Sequence, residues 1–306
     1  MKYRPLGSTG AAVSSLCLCI GDEQFAKGPA ALKTLIIAGL EAGINAYHFE
    51  IATTSLLEAA GEALSHVDRD LLWISLTVGG PRSQSSVQRS FDPDDLTRTV
   101  EEGLHTSGLG WFDVAVLDDP AEDELPFSSL TTLKALRSSS QVRMLGIKGE
   151  APVMNTYLST GAFDALYTPF SVNSDWTVRA RMREAQKRNM LVFIYDYDRD
   201  VRRDPKTTST LPRKKPDFLT RIGLKKAPPP VLDPSLFGFL HTTQGWTASE
   251  LCLGMSLTDP QVCSALINAQ KPSDIEPLCQ VTERHLPSRL AAQIEMARVG
   301  GAQVEH

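Results

Sequence analysis

Eight apolar runs of strand length, separated by segments of helical periodicity, constrain the fold of this 306-residue chain more than any other feature. The runs are SSLCLCIG, INAYHF, LWISLTV, FDVAVLD, VRMLGIKG, FDALYTPF, MLVFIYD and VCSALINA. Between them stand GPAALKTLIIAGLEAG, SLLEAAGEALSHV, PDDLTRTVEEGLHTSG, FSSLTTLKALRSS, VMNTYLSTG, WTVRARMREAQKRN and WTASELCLGMSL, most with apolar residues at i, i+3, i+4 and i+7. This alternation is what a parallel sheet with crossover helices requires. Eight such units complete an α/β fold, the (β/α)8 TIM barrel of roughly 250 residues, and residues 1–306 read as a single barrel domain.

Two pieces lie outside the repeating units. The opening YRPLGSTGAAVSSL has short extended stretches on either side of Ser8-Thr9-Gly10, which predict an N-terminal β-hairpin able to plug one end of the barrel. A long basic loop, 198–235, follows the seventh strand. Loops after the strands surround the site in such barrels, so this one overhangs it, either as a solvated segment or as a clamp for phosphate or carboxylate.

The formal net charge of -5 gives no global attraction for nucleic acid or an anionic membrane surface. No stretch approaches the roughly 20 apolar residues of a membrane span, and the first residues lack the pattern of a secretory signal. A cytoplasmic location and a small-molecule substrate are therefore expected. The five cysteines contain no CxxC pair and read as small buried residues in a reducing compartment.

The stretches MKYRPLGSTGAAVSSLCLCIG, AGINAYHFE, WFDVAVLDDP, VRMLGIKG and ELCLGMSLTDPQVCSALINA, in this order, resemble landmarks of the aldo-keto reductase family along nearly the whole chain. The resemblance implies the same barrel, reducing carbonyls with NADPH through four residues. These are an aspartate ending the second strand, a tyrosine just after it, a lysine ending the third and a histidine ending the fourth. Placed on that pattern, His48 stands for the aspartate, Thr53 or a neighbour for the tyrosine, Thr77 for the lysine and Asp118 for the histidine. The Ser-Asn pair that holds the nicotinamide amide becomes Lys148-Gly149, and the small serine after the seventh strand becomes Asp196. The Pro-Gly ending the eighth strand becomes Asn268-Ala269, and the Glu-Asn pair at the adenine becomes Leu278 and Cys279. Only Lys271 keeps a charge suited to the 2′-phosphate. No cofactor is expected unless NADP(H) binding survives through such contacts.

Loss of the tetrad leaves His48, Glu50, Thr77, Asp118, Asp119, Lys148, Glu150, Tyr195 and Asp196 on the strand ends, all but Thr77 titratable. His48 facing Asp118 would form an acid/base pair, the carboxylate orienting the ring and raising its pKa, suited to a lyase, isomerase or hydrolase. Thr77 and Lys148 join them as candidate catalytic residues, Lys148 as an ion-pair partner or as a Schiff-base amine. Glu50, Thr53, Asp119, Tyr195 and Asp196 are candidate substrate contacts. His48, Glu50 and Asp118 could alternatively hold a divalent metal. Asp113 and Asp164 fall at strand starts, on the opposite end, and read as structural. Two other readings stay open: an NAD(P)-dependent oxidoreductase using Tyr47, Tyr195 or Tyr197 as proton donor, and a non-catalytic binding or scaffold protein.

Overall fold

A computed structural model of the chain describes residues 1–6, 12–81, 89–202 and 234–303. The turn at Ser8-Thr9-Gly10 and most of the basic loop, including PRKKPD, lie outside the described residues. A hairpin opens the chain, with β1 (Tyr3–Pro5) antiparallel to β2 (Ala12–Ser14). Eight parallel strands then close into a barrel. They are β3 (Leu16–Ile20), β4 (Ala46–Phe49), β5 (Trp73–Val78), β6 (Phe112–Asp118), β7 (Val142–Lys148), β8 (Ala165–Pro169), β9 (Leu191–Tyr195) and β10 (Ser264–Ile267). Each of the eight sequence runs contains one of them. The strands follow chain order around the barrel, and β10 pairs with both β9 and β3.

The connecting helices are α1 (Asp22–Phe25), α2 (Pro29–Glu41), α3 (Thr54–Leu64), α4 (Pro93–Ser107), α5 (Phe127–Ser138), α6 (Val153–Ser159), α7 (Trp176–Lys187) and α8 (Ala248–Ser256). After the barrel come α9 (Ile275–Val281) and α10 (Leu290–Gln303). Local chemistry sets their ends. Asp92 caps α4 by accepting from the Asp94 amide, Pro93 fills its first turn, and Gly108 ends it in a left-handed conformation. Thr247 and Glu250 form a reciprocal capping box on α8. Among the described residues, no helix is long and apolar enough to cross a membrane.

Strand alternation divides the core in two. Outward residues such as Leu16, Leu18, Ile74 and Leu166 pack beneath the helices. Inward residues such as Cys17, Val114, Val116, Tyr167 and Phe193 fill the barrel, joined at its base by Leu6 and Val13 of the hairpin region. The hairpin therefore plugs that end, as the sequence predicts. Four rings are stacked in sequence within the barrel: Trp73 on Phe193 (6.3 Å), Phe193 on Tyr167 (4.7 Å) and Tyr167 beside His48 (5.4 Å). All five cysteines are free, and burial raises each thiol pKa, so none is poised to react.

At the amino ends of the strands, Asp113 is buried and is the hub of a polar cluster. Its carboxylate accepts from Arg69 (2.8 Å), the Ile74 amide (2.8 Å) and the Trp111 indole (3.3 Å), with Arg143 at 3.4 Å. Asp164 likewise accepts from the Leu145 amide (2.9 Å) and pairs with Arg137. Both residues tie strands together far from the mouth. Removing one member of a buried pair leaves the other's charge uncompensated, at a cost of about 3–5 kcal/mol. Asp113→Ala is expected to lower the unfolding free energy by about that much in urea titrations. Asp70→Ala, at the exposed Arg143–Asp70 contact, is expected to change it little.

Candidate functional site

Strand register brings a lysine and an aspartate together at the carboxyl end of the barrel. Asp118 and Lys148, the last residues of β6 and β7, are direct partners across the ladder, and their inward side chains meet with Nζ 3.5 Å from Oδ2. Glu50, just past β4, completes the group with Oε1 3.7 Å from the same Nζ. Its backbone amide donates to the Ile20 carbonyl (2.9 Å), fixing it beside β3. A Cβ at position 21 would fall 2.7 Å from Glu50 Oε2, so Gly21 leaves the carboxylate its room.

Lys148 is buried, with its ammonium 5.3 Å from the centre of the Tyr195 ring. Burial favours the neutral amine, but Asp118 and then Glu50 outweigh it and raise the pKa above the ordinary lysine value. The side chain is thus a permanent cation near neutral pH. That state does not suit the Schiff-base alternative, which needs a free amine.

His48 lies below this group and is completely buried. Nδ1 is 2.8 Å from Ser75 Oγ and Nε2 is 3.3 Å from Thr77 Oγ1. The Nδ1–H tautomer gives every proton an acceptor: the ring donates to Ser75, whose hydroxyl reaches the Tyr47 carbonyl (3.4 Å), and Thr77 donates to Nε2. Burial, and then the charge of Lys148, push the ring's pKa well below that of ordinary histidine. This corrects the expectation of a carboxylate-oriented ring with a raised pKa. The physical reason is depth: the inward position of β4 places the ring inside the barrel, where hydroxyls from neighbouring β5 reach both nitrogens. With both nitrogens engaged, the ring is also unsuited to ligate a metal. Among the described residues, no group of three or more His, Cys, Asp or Glu side chains is placed to hold one.

Two cavities open beside Glu50. The first, about 430 Å³, is lined by Glu50, Lys148, Tyr195, Asp196, Asp198 and Arg202, among others. The second, about 370 Å³, is lined by Glu50, Thr53, Thr77, Asp95, Arg98 and Thr99, among others. Glu50 belongs to both. Along the first, Arg202 pairs with Asp196 (2.7 Å) and Asp198 (2.6 Å), and Arg199 reaches Glu150 (3.1 Å). Asp119 and Asp196 hold positive φ angles of 47° and 52°, strained values that aspartate tolerates better than most residues. Asp119 packs against Gly149, where a Cβ would lie 2.5 Å from its Oδ1.

The structure therefore gathers Glu50, Thr77, Asp118 and Lys148 around His48, and places Tyr195 and Asp196 in one cavity wall and Thr53 in the other. Asp119 flanks the group. Lys271 is apart from it: its side chain is 62% exposed and pairs with Asp274 at 3.8 Å. Sequence reasoning missed Ser75, Cys19 and Ser249, whereas Arg202 belongs to the basic loop 198–235 that it placed over the site. Ser75 was recoverable, because it lies two residues before Thr77 and a strand repeats every second residue.

No family model matches the sequence, and no curated protein does. Among solved structures, the chain is similar to the aldo-keto reductase AKR11C1 from Bacillus halodurans. The holo form matches with a TM-score of 0.73 and 17% identity over 97% of this chain and 96% of that one. The apo form matches with a TM-score of 0.69 and 16% identity over the same shares. At this identity the likeness is one of fold, and the barrel of this chain is that of the aldo-keto reductases.

The state of His48 has a measurable consequence. Below about pH 6.5 the unfolded chain takes up a proton on this ring that the folded chain refuses, so its contribution to stability is full above that range and is lost as pH falls. Urea midpoints measured from about pH 8 down to about pH 5 are expected to fall more steeply for the wild type than for His48→Gln. The difference in slope approaches about 1.4 kcal/mol per pH unit. A His48 imidazole NMR signal, identified by its loss in His48→Gln, that titrates near neutrality would contradict the assignment.

Proposed function

We propose that this barrel performs proton transfer without a nicotinamide, on a small neutral polar molecule. Glu50 is the base that meets the ligand, and Lys148 is the cation that steadies charge developing on its oxygen. The observation that carries this reading is a carboxylate and a permanently charged ammonium 3.7 Å apart in a cavity wall. With a carbonyl ligand, Glu50 takes a proton from the carbon beside the carbonyl and the electron pair moves onto the oxygen, next to the Lys148 ammonium. Return of the proton to that carbon completes an exchange cycle; delivery of it to the former carbonyl carbon of a hydroxyketone, while the adjacent hydroxyl passes its own proton to the enolate oxygen, completes an isomerisation, and no electron is gained or lost overall. Asp118 keeps the ammonium charged while Glu50 carries the proton. His48 and Thr77 form the floor that fixes β4 and β5 beneath them.

The tyrosines support the same reading. Tyr47 donates to the Ile44 carbonyl (3.1 Å) on the outer side of the barrel, and Tyr167 is enclosed in the ring stack. Tyr195 and Tyr197 line the first cavity, where burial, followed by nearby acids, raises their pKa values. A tyrosine that protonates a hydride acceptor needs the opposite shift. Nor does that cavity suit a pyrophosphate. Among the described residues its wall carries three carboxylates and two cations, and both cations already pair with acids.

Two measurements test the reading. Titration of the full chain with NADPH, followed by nucleotide fluorescence, is expected to give no saturable change; micromolar binding would contradict the proposal. Proton NMR in D2O, with a panel of neutral hydroxyketones, is expected to show deuterium entering the carbon beside the carbonyl. Glu50→Gln is expected to slow that exchange by about 100-fold or more. Exchange absent from the whole panel, or unchanged by the substitution, would favour a barrel that only binds.

A further inference from the structure

Isomerisation of a hydroxyketone moves two protons, and Glu50 carries only one of them. The second passes from the ligand's hydroxyl to the oxygen that began as its carbonyl. These oxygens stand on neighbouring carbons, so the direct O–H···O path between them is strongly bent, and such contacts weaken steeply below about 120°. A third group that donates and accepts at once removes the bend. An ammonium only donates and a carboxylate only accepts, whereas a hydroxyl does both through one oxygen.

Other hydroxyls near the mouth are engaged or lie elsewhere. Thr77 donates to His48 (3.3 Å), Ser249 donates to Asp198 (2.7 Å), and Tyr197 is joined to Ser249. Thr53 lines the second cavity, whereas Lys148 lines the first. Tyr195 is placed differently. It ends β9, continues the inward row of Leu191 and Phe193, and lines the first cavity with Glu50 and Lys148. Its ring centre is 5.3 Å from the Lys148 ammonium. The backbone holds it there, its carbonyl accepting from the Phe170 amide (3.0 Å) and its Cα partner in β8 being Pro169. Burial, followed by the charges of Asp118 and Glu150, keeps the phenol protonated. That state opposes outright release of a proton but suits a relay, which passes through no phenolate.

We propose that Tyr195 is a catalytic residue that relays the ligand's second proton from its hydroxyl oxygen to the former carbonyl oxygen. The step deepens the proton-transfer reading and rests on Glu50 acting as its base. Glu50 first takes the proton from the carbinol carbon, and the C–H pair becomes a C=C bond as the carbonyl pair moves onto oxygen. The Tyr195 O–H then protonates that oxygen while the same phenol oxygen accepts the proton of the neighbouring ligand hydroxyl. The charge, now on the second oxygen, re-forms a carbonyl there, and the C=C pair takes the proton back from Glu50 at the former carbonyl carbon. One ligand carbon is oxidised and its neighbour reduced, both side chains return to their starting states, and no co-reactant is consumed.

Dihydroxyacetone and erythrulose in D2O separate the two roles, because deuterium exchange at the carbinol carbon needs Glu50 alone, whereas conversion to the aldose needs both groups. By proton NMR, Tyr195→Phe, which keeps the ring beside the ammonium, is expected to slow aldose formation about 100-fold and to leave exchange within about threefold of wild type. Aldose formation unchanged in Tyr195→Phe, a fall of exchange and aldose formation together, or a wild type that exchanges without isomerising would overturn the relay and leave Glu50 as the base. Exchange absent from the wild type with both probes would overturn the relay and the base together.

Discussion

A buried ammonium stands at the centre of the barrel mouth, and the arrangement around it follows from the cost of leaving such a charge unpaired. Removing a lysine from water costs several kcal/mol unless opposite charge and hydrogen-bonding partners replace the solvent. Asp118 supplies the first partner through strand register and Glu50 the second through the chain just after β4. The small residue at Gly21 follows from the room Glu50 needs, and Gly149 from the close packing of Asp119. The same positive charge, added to burial, keeps His48 neutral and leaves its two nitrogens to the hydroxyls of Ser75 and Thr77. One cation thus organises the protonation of its neighbours as well as their positions.

Set beside the aldo-keto reductase pattern that the sequence resembles, the ring of strand ends keeps familiar residue types in different places. Histidine stands where the pattern has aspartate, aspartate where it has histidine, and the lysine has moved from the end of β5 to the end of β7. A tyrosine, Tyr195, stands at the end of β9. The permutation matters because a pKa depends on distance and burial rather than on which residues a site contains. With lysine paired to two carboxylates, the site holds a fixed cation, and burial makes the neighbouring Tyr195 harder to ionise. The fold is shared with a solved aldo-keto reductase, and function on such a common scaffold resides in the side chains placed on it.

The barrel was legible because its signal is repeated: eight apolar runs such as FDVAVLD, which is β6 residue for residue and buried on both faces, leave few other architectures. The gathering of Glu50, Thr77, Asp118 and Lys148 was legible too, since all fall at the carboxyl ends of strands. Pairings were harder to read. His48 and Asp118 are two strands apart, and nothing in the spacing reveals that β5 places Ser75 and Thr77 against the ring first. Lys271 carries the right charge for a phosphate, yet its place on the exposed connection between β10 and α9 is set by tertiary packing that a sequence pattern does not encode. The sharing of Glu50 between two cavities likewise depends on loops whose course is fixed only when the barrel closes.

Neutron diffraction from crystals grown near neutral pH tests the central claim most directly, because it locates protons. The account predicts three deuterons on Lys148 Nζ and a single deuteron on the nitrogens of the His48 ring. A neutral Lys148 amine or a doubly protonated His48 would contradict it.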